Sequence, residues 1–373
     1  MKIFLREIKT DWELRRFIRF PLKLYKDNPF YVPALILDEY QTLHHQKNPS
    51  FEHCEARYWL AYDGSQVVGR IAGIINQKHI QKWDEPYMRF GWFDFIDDLE
   101  VSQALLSVVE DWAKQRDLTA IHGPLGFTNL DHEGMLIEGF SELGTMATLY
   151  NFPYYPKHME HHGYGKDTDW IEFLLQVPES LDPRISKATE VVLKRNNLRL
   201  LNISNKRELL SHATELFELI NKEYSHIYGA VPLSEREIQH YVDNYLNFVH
   251  PDFIPLIIDE QENLVAFGVA IPSLSSALQK SNGKLFPLGW WRFLHALRHN
   301  RRADLYLVAV EKRYQGLGVN LVLMDHLYKI FNERGIEIVE SNPELETNLD
   351  VQSQWKLFEK RQHKRRRCYI KHI

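Results

Sequence analysis

Two stretches of the chain carry the same order of apolar and polar runs. In the first half, residues 58–62 and 67–75 are apolar runs on either side of the turn residues Asp63 and Gly64, the pattern of a β-hairpin. In the second half, residues 255–258 and 264–271 flank the polar turn 259–263 in the same way. Each hairpin precedes a strand-like run, then a segment with apolar residues at three- and four-residue spacing, then another strand-like run. The first set is residues 90–95, 101–114 and 118–121; the second is 305–310, 319–332 and 336–339. The spacing predicts helices with one buried face each. Strands interleaved with helices predict an α/β fold around a mixed sheet, built twice. Pro178 and Pro183 mark the joint, and the expected domains are residues 1–185 and 186–373.

The two copies differ at one turn. In the second, the strand-like run ending at Val310 leads through Glu311, Lys312, Arg313, Tyr314, Gln315, Gly316, Leu317 and Gly318 into a helix starting at Val319. Unpaired amides of a first helical turn, with the helix dipole behind them, form an anion site, and glycines let a phosphate approach the backbone. A Gly-x-Gly alone is weak, and the dinucleotide fingerprint fails because its third glycine position holds Leu321. At the matching place the first copy has Ile96, Asp97, Asp98, Leu99 and Glu100. Asp98 there is an N-cap, and the acids repel a pyrophosphate. A phosphorylated ligand is therefore expected in the second copy only.

Bulk properties remove several classes. A net charge of −5 argues against a general nucleic-acid binder. Cys54 and Cys368 form no disulfide framework. The early charges Lys2, Arg6 and Glu7 do not fit a signal peptide, and no apolar run is long enough to span a bilayer. A cytoplasmic location is the expectation. Neither a Walker lysine motif nor a G-x-S-x-G elbow is present.

Val310, Tyr314, Gln315, Gly316, Gly318, Val319, Leu323 and Met324 stand in register with V-x-P-x-Y-[QR]-G-x-G-[IV]-[GA]-x-x-L-[LIM]. This resembles the acyl-CoA-binding motif of the GNAT N-acetyltransferase superfamily, with Lys312 and Asn320 as departures. The resemblance implies tandem GNAT-like domains, each a mixed, mostly antiparallel central sheet flanked by helices. It implies acetyl-CoA or a longer acyl-CoA held by Val308, Ala309, Val310, Gln315, Gly316, Leu317, Gly318, Val319 and Asn320. It also implies an amide donor to the developing oxyanion near Val308 or Val310. The superfamily's thiolate-protonating tyrosine would lie on a last helix, expected over residues 349–360 and capped by Asn348. Its position falls on Trp355 or Phe358, neither a useful acid, so the acid is missing or comes from elsewhere, Tyr306, Tyr369 or a first-domain residue.

Residues 340–348 follow the strand at 336–339, where such an acceptor pocket opens. Glu340 and Glu346 are candidate bases there, with Asn342 and Asn348 as binding groups; the alternative is a solvated loop and helix cap. In the first half, residues 123–134 and 151–158 are dense in Gly, Asn, Asp, His and Tyr. They offer Asn129, Tyr154 and Tyr155 to a substrate, or form a long structured connection. His158, His161 and His162 match no metal motif, so surface histidines and no metal are expected.

From Trp290, residues 290–302 predict an amphipathic helix with arginines, an interfacial membrane helix or an acyl-chain cover, the alternative being a helix packed at the domain interface. The basic run 360–367 is set to meet anionic lipid or the 3′-phosphate of CoA, or to form an exposed hairpin beside a final strand at 368–370. Residues 20–33 (Phe-Pro-Leu-Lys-Leu-Tyr-Lys-Asp-Asn-Pro-Phe-Tyr-Val-Pro), 47–53, 68–72 and 138–140 complete a narrower likeness. They resemble a bacterial double-GNAT family in which some members are proposed sphingoid-base N-acyltransferases. The implied function is CoA-dependent acylation of an amine, a lipid-like (sphingoid) one included, with peripheral membrane contact through residues 290–302. Small-molecule N-acetylation and non-catalytic acyl-CoA binding are the alternatives.

Overall fold

The computed structural model describes residues 2–180 and 182–373. Leu181, in the stretch expected to join the copies, lies outside them. Contacts gather the chain into two compact units. The first holds residues up to Ile171 with Leu274–Phe293 and His363–Ile373; the second holds Glu172–Ser273 with Leu294–Gln362.

The chain begins β1 (Ile3–Glu7), α1 (Asp11–Leu24), α2 (Ile36–Leu43), β2 (Cys54–Asp63), β3 (Gln66–Asn76), α3 (Gln77–Trp83) and β4 (Tyr87–Phe95). It continues through α4 (Leu99–Lys114), β5 (Ala120–Gly123), β6 (Met135–Glu138), α5 (Tyr154–His161) and β7 (Gly165–Gln176). In the first unit β1, β2, β3, β4 and β5 lie side by side, and only the β4–β5 pair is parallel. Helix α4 starts where the sequence indicated, with Asp98 Oδ1 accepting from the amides of Glu100 (2.8 Å) and Val101 (3.3 Å). Both faces of the sheet are covered. Trp59, Ala61, Ile71 and Ile75 pack with Leu105, Val109 and Trp112 of α4, while Tyr58, Leu60 and Ile74 pack with Leu14, Phe17 and Ile18 of α1. Burial on both faces is why β2 and β3 read as nearly unbroken apolar runs.

Inside this unit Arg70 Nε donates to Asp94 Oδ2 at 2.7 Å, and Tyr25 hydroxyl donates to Asp94 Oδ1 at 2.7 Å. Asp94→Ala strands a buried guanidinium, and a loss of about 3–5 kcal/mol of unfolding free energy is expected in denaturant melts. Asp94→Ala with Arg70→Met should recover much of it.

The remaining elements are α6 (Pro183–Arg195), β8 (Arg199–Leu200), α7 (Lys206–Ser211), α8 (Ala213–Glu223), α9 (Glu235–Asn244), β9 (Leu256–Ile258) and β10 (Leu264–Pro272). They continue as α10 (Ser275–Ser281), α11 (Gly289–Arg298), β11 (Arg302–Val310), α12 (Val319–Arg334), β12 (Ile338–Glu340), β13 (Glu344–Leu345), α13 (Leu349–Ser353) and β14 (Lys360–His372). In the second unit β7, β12, β11, β10, β9 and β8 are neighbours, and β11–β12 is the parallel pair. The second sheet thus repeats the first. Its sixth strand comes from residues 174–176 of β7, while residues 369–372 of β14 pair with β5 in the first unit.

Four expectations are corrected. Helix α12 is buried on more than one face, because α6 lies along it. Ser186 hydroxyl donates to Asp325 at 3.0 Å, and Tyr328 is as buried as Leu323. The last helix stops at Ser353, and a single tight turn, Gln354–Leu357, follows it. The basic run is no exposed hairpin but one strand with residues 368–370. Its alternate side chains Arg365 and Arg367 both pair with the buried Asp169 (3.1 and 2.8 Å), and Arg366 points inward to the carbonyl of Leu149. Finally, His158 and His162 are buried, each 2.8 Å from Ser102 hydroxyl, and only His161 is exposed.

Candidate active site

Strand β11 parts from its parallel neighbour early. Pairing with β12 ends at Asp304 opposite Glu340, while pairing with β10 runs on to Val310. Tyr306 is the extra residue of a bulge: Leu307 faces Val269, but Leu305 faces Ala270. Beyond the split, backbone groups of β11 meet side chains instead of a strand. Tyr306 carbonyl accepts from Asn342 Nδ2 (3.2 Å), and Val310 carbonyl accepts from Gln315 Nε2 (2.8 Å). Val308 meets a tyrosine the sequence reading did not single out. Tyr224 hydroxyl donates to Val308 carbonyl (3.0 Å) and accepts from its amide (3.4 Å). Burial pushes the Tyr224 phenol up to about 12, partly offset by that amide.

At the end of β11 the turn delivers the expected glycines. Gly316 and Gly318 both have left-handed backbones, φ 74° and 85°. Gly318 is the N-cap of α12, with no capping side chain. A Cβ on Gly316 would meet nothing within 4 Å, so the approach to its backbone is open. Leu317 is exposed, Val319 is buried and Asn320 is half-buried. Gln315 also donates to Glu223 Oε2 (3.2 Å), which fixes this turn to the C-terminal end of α8.

Carboxyl groups gather near the split. Asp304 and Glu340 are buried neighbours on adjoining strands, and Glu172 offers an oxygen within 4.8 Å of one on Glu340. Burial, then Asp304, then Glu340 push the Tyr306 phenol well above its ordinary range. Glu346 is half-buried, and Asn348 caps α13 by accepting from Val351 amide at 3.3 Å. The group missed from the sequence is Glu344. Trp355 indole N–H donates to Glu344 Oε1 at 2.7 Å, and burial pushes this carboxyl up to about 7 against the Trp355 and Ser341 contacts. Trp355 therefore serves Glu344, and Phe358 stacks on Tyr328.

The matching places in the first unit are filled by its own chain. β4–β5 pairing ends at Arg89 opposite His122. Past it, Leu125 amide donates to Phe90 carbonyl (2.8 Å), Phe95 amide donates to Tyr155 hydroxyl (3.1 Å), and Tyr154 hydroxyl donates to Phe95 carbonyl (2.5 Å). Asp97 pairs with His158 at 3.0 Å, and Asp98 occupies the first amides of α4. Asn129 is half-buried in a loop held by Asp131, whose carboxylate accepts from Phe127 and Thr128 amides. Tyr154 and Tyr155 therefore already hold strand β4, and Asn342, Tyr306 and Glu340 gather in the second unit.

Comparison with known proteins decides the family. Protein YghO of Escherichia coli (strain K12) is 31% identical over 368 residues, covering 97% of this chain and 93% of its own. The acetyltransferase (GNAT) family model matches residues 213–363. The chain belongs to the GNAT acetyltransferase family. The GNAT protein is also 27% identical over 319 residues to the bacterial ceramide synthase of Caulobacter vibrioides (strain NA1000 / CB15N), covering 83% of this chain and 80% of that one. In fold, the tandem GNAT protein from the clavulanic acid biosynthesis pathway superposes with a TM-score of 0.57 at 11% identity, over 100% of this chain and 98% of that one. This GNAT protein is thus a double-GNAT α/β protein of the N-acyltransferase class, whose members act on amines.

Proposed function

We propose that the second unit transfers an acyl group from an acyl-CoA to a lipid-like amine. The reading is carried by the split of β11 from β12 with a glycine-capped helix at its far end. There, backbone groups of β11 have no strand partner on that side, and the first-turn amides of α12 suit a pyrophosphate. The residues fit the ligand class: Gly316, Leu317, Gly318, Val319 and Asn320 would receive the diphosphate, and Val308 to Val310, with Gln315 bracing the turn, would run beside the pantetheine arm. Acyl-CoA supplies the activated thioester. The lipid character of the amine is supported by the likeness to the bacterial ceramide synthase of Caulobacter vibrioides.

Within the cleft each group of the chain has a task. The Val308 amide would donate to the acyl oxygen. Tyr224 shares that amide, and its phenol, protonated at neutral pH, would give the leaving thiolate its proton; Tyr306, its proton held more tightly still, is the weaker acid. Glu344 takes the proton from the amine, since a carboxyl near 7 is half ionised at neutral pH. Glu340 and Glu346 stand as alternative bases, and Asn342 and Asn348 line the acceptor side.

Thiol release from acetyl- and palmitoyl-CoA, measured against a panel of amines that includes sphinganine, tests the reading. Release with sphinganine supports it, release only with small polar amines replaces the acceptor, and saturable binding without release under every amine leaves a binding protein. For Tyr224→Phe, kcat is expected to fall by about a hundredfold while KM for the acyl donor stays level or drops, because the Val308 amide loses a competitor. Equal damage to both constants would assign Tyr224 to support of the strand alone.

A further inference from the structure

The segment between β10 and β11 turns its apolar side chains outward. Five of the thirteen large hydrophobics exposed among the described residues fall within residues 286–294: Phe286, Leu288, Trp290, Trp291 and Leu294. Phe286 is 80% exposed and Trp291 57%. On α11 the exposed positions are 290, 291, 294, 295 and 298, with 299 just past its end, the three- and four-residue spacing of a single helix face, and Gly289 is the only buried residue of the helix. A solvent-facing helix normally places charge on that side. Here the leading turn carries two tryptophans and a leucine, and the trailing turn carries His295, Arg298 and His299.

The base of this projection is firmly seated. In the first unit, Gln279 donates to the carbonyls of Pro29 (2.8 Å) and Tyr31 (3.0 Å), Ser275 hydroxyl to Gly144 carbonyl (2.9 Å), and Ile36 amide to Gly283 carbonyl (2.9 Å). Gly289 is packed so closely on Lys284 carbonyl that a Cβ there would collide with it, which folds the loop back and holds Phe286 and Leu288 out.

Charge identifies the occupant. Between Glu262 and Asp304 the sequence has no acid, yet it carries Lys280, Lys284, Arg292, Arg298, Arg301 and Arg302. The whole chain has a net charge of −5, so this basic stretch runs against the overall balance. Aromatic rings with neighbouring arginines suit the headgroup level of an anionic bilayer, where rings sit among the headgroups and cations meet lipid phosphate. No described helix is long and apolar enough to cross a membrane, so the contact is interfacial.

We infer that Phe286, Leu288, Trp290, Trp291 and Leu294 form a membrane-docking tip, with Lys284 and Arg298 as its electrostatic partners. This placement rests on the surface itself and does not depend on which amine is acylated. The full-length protein is to be sedimented with phosphatidylcholine vesicles, with and without added phosphatidylglycerol, while tryptophan emission is recorded. Binding to the anionic vesicles at least about tenfold tighter than to the neutral ones, with a blue shift, is expected. Trp290→Ser with Trp291→Ser should lose more than about tenfold in affinity and most of the shift, at an unchanged melting temperature because both rings are exposed. Lys284→Glu with Arg298→Glu should remove the preference for anionic lipid and leave the weaker aromatic share. The inference is overturned if the wild type ignores both vesicle types, or if both variants bind as the wild type does. It is equally overturned if the tryptophan variant abolishes a concentration-dependent dimer while vesicle binding is absent, since the face would then join two copies.

Discussion

Gly318→Asp is expected to weaken acyl-CoA binding by about a hundredfold in calorimetric titration. Two effects act in the same direction. An L side chain at φ 85° costs about 1–2 kcal/mol, and a Cβ there would sit 3.1 Å from Val192 Cγ2. A carboxylate at the N-cap then accepts from the same amides a pyrophosphate would use and repels it, worth about another 1 kcal/mol. The first unit supplies the control, because Asp98 already does this at the start of α4. Asp98→Asn should leave acyl-CoA affinity unchanged. Gly316→Asp, at φ 74°, carries the same backbone cost but its Cβ meets no neighbour, so comparison of the two variants isolates the contact with Val192. Equal losses in the two units would remove the assignment of the donor site to the second.

The repeated architecture was legible because its determinants are local. Alternation, turn residues and helical spacing place β2, β3, β4 and α4, and β9, β10, β11 and α12, within a few residues of where they lie, while the short helices α3 and α10 carry no such signal. The glycine turn was legible for the same reason, since left-handed residues before a helix leave a mark in one short stretch. What escaped depends on pairings distant in sequence. The partner strand of β12 comes from β7, and that of β5 from β14, which no periodicity encodes. The basic run reads as surface because six of its eight residues are Lys or Arg; its strand partner β6 and its counter-ion Asp169 lie nearly two hundred residues or more earlier. Tyr224 is invisible for a related reason. It follows α8 as an ordinary aromatic residue, and its meaning arises from the backbone of Val308. Tyr154 and Tyr155 stood out by composition, yet their hydroxyls are spent on Phe95, Asp94 and Tyr25.

Glu344 is the carboxylate on which the pH dependence should turn. Glu344→Gln is expected to lower kcat by roughly a hundredfold or more and to flatten the rise of rate with pH. In the wild type that rise should centre near 7, where the buried carboxyl ionises. The variant keeps the Trp355 contact, because an amide oxygen still accepts from the indole, so loss of rate with intact folding isolates proton transfer. Stability provides a second readout of the same group. Its folded pKa lies above the ordinary 4.5, so between 4.5 and about 7 the unfolded chain binds fewer protons than the folded one. This contribution to stability is therefore fully present below 4.5 and declines as pH rises to about 7, after which it is flat. Denaturant midpoints measured across that window should show the decline in the wild type and lose it in Glu344→Gln. Glu340→Gln and Glu346→Gln, run alongside, decide among the three acids: the base is the one whose removal flattens the rate profile. A wild-type slope that survives in Glu344→Gln, in both rate and stability, transfers the role to one of the other two.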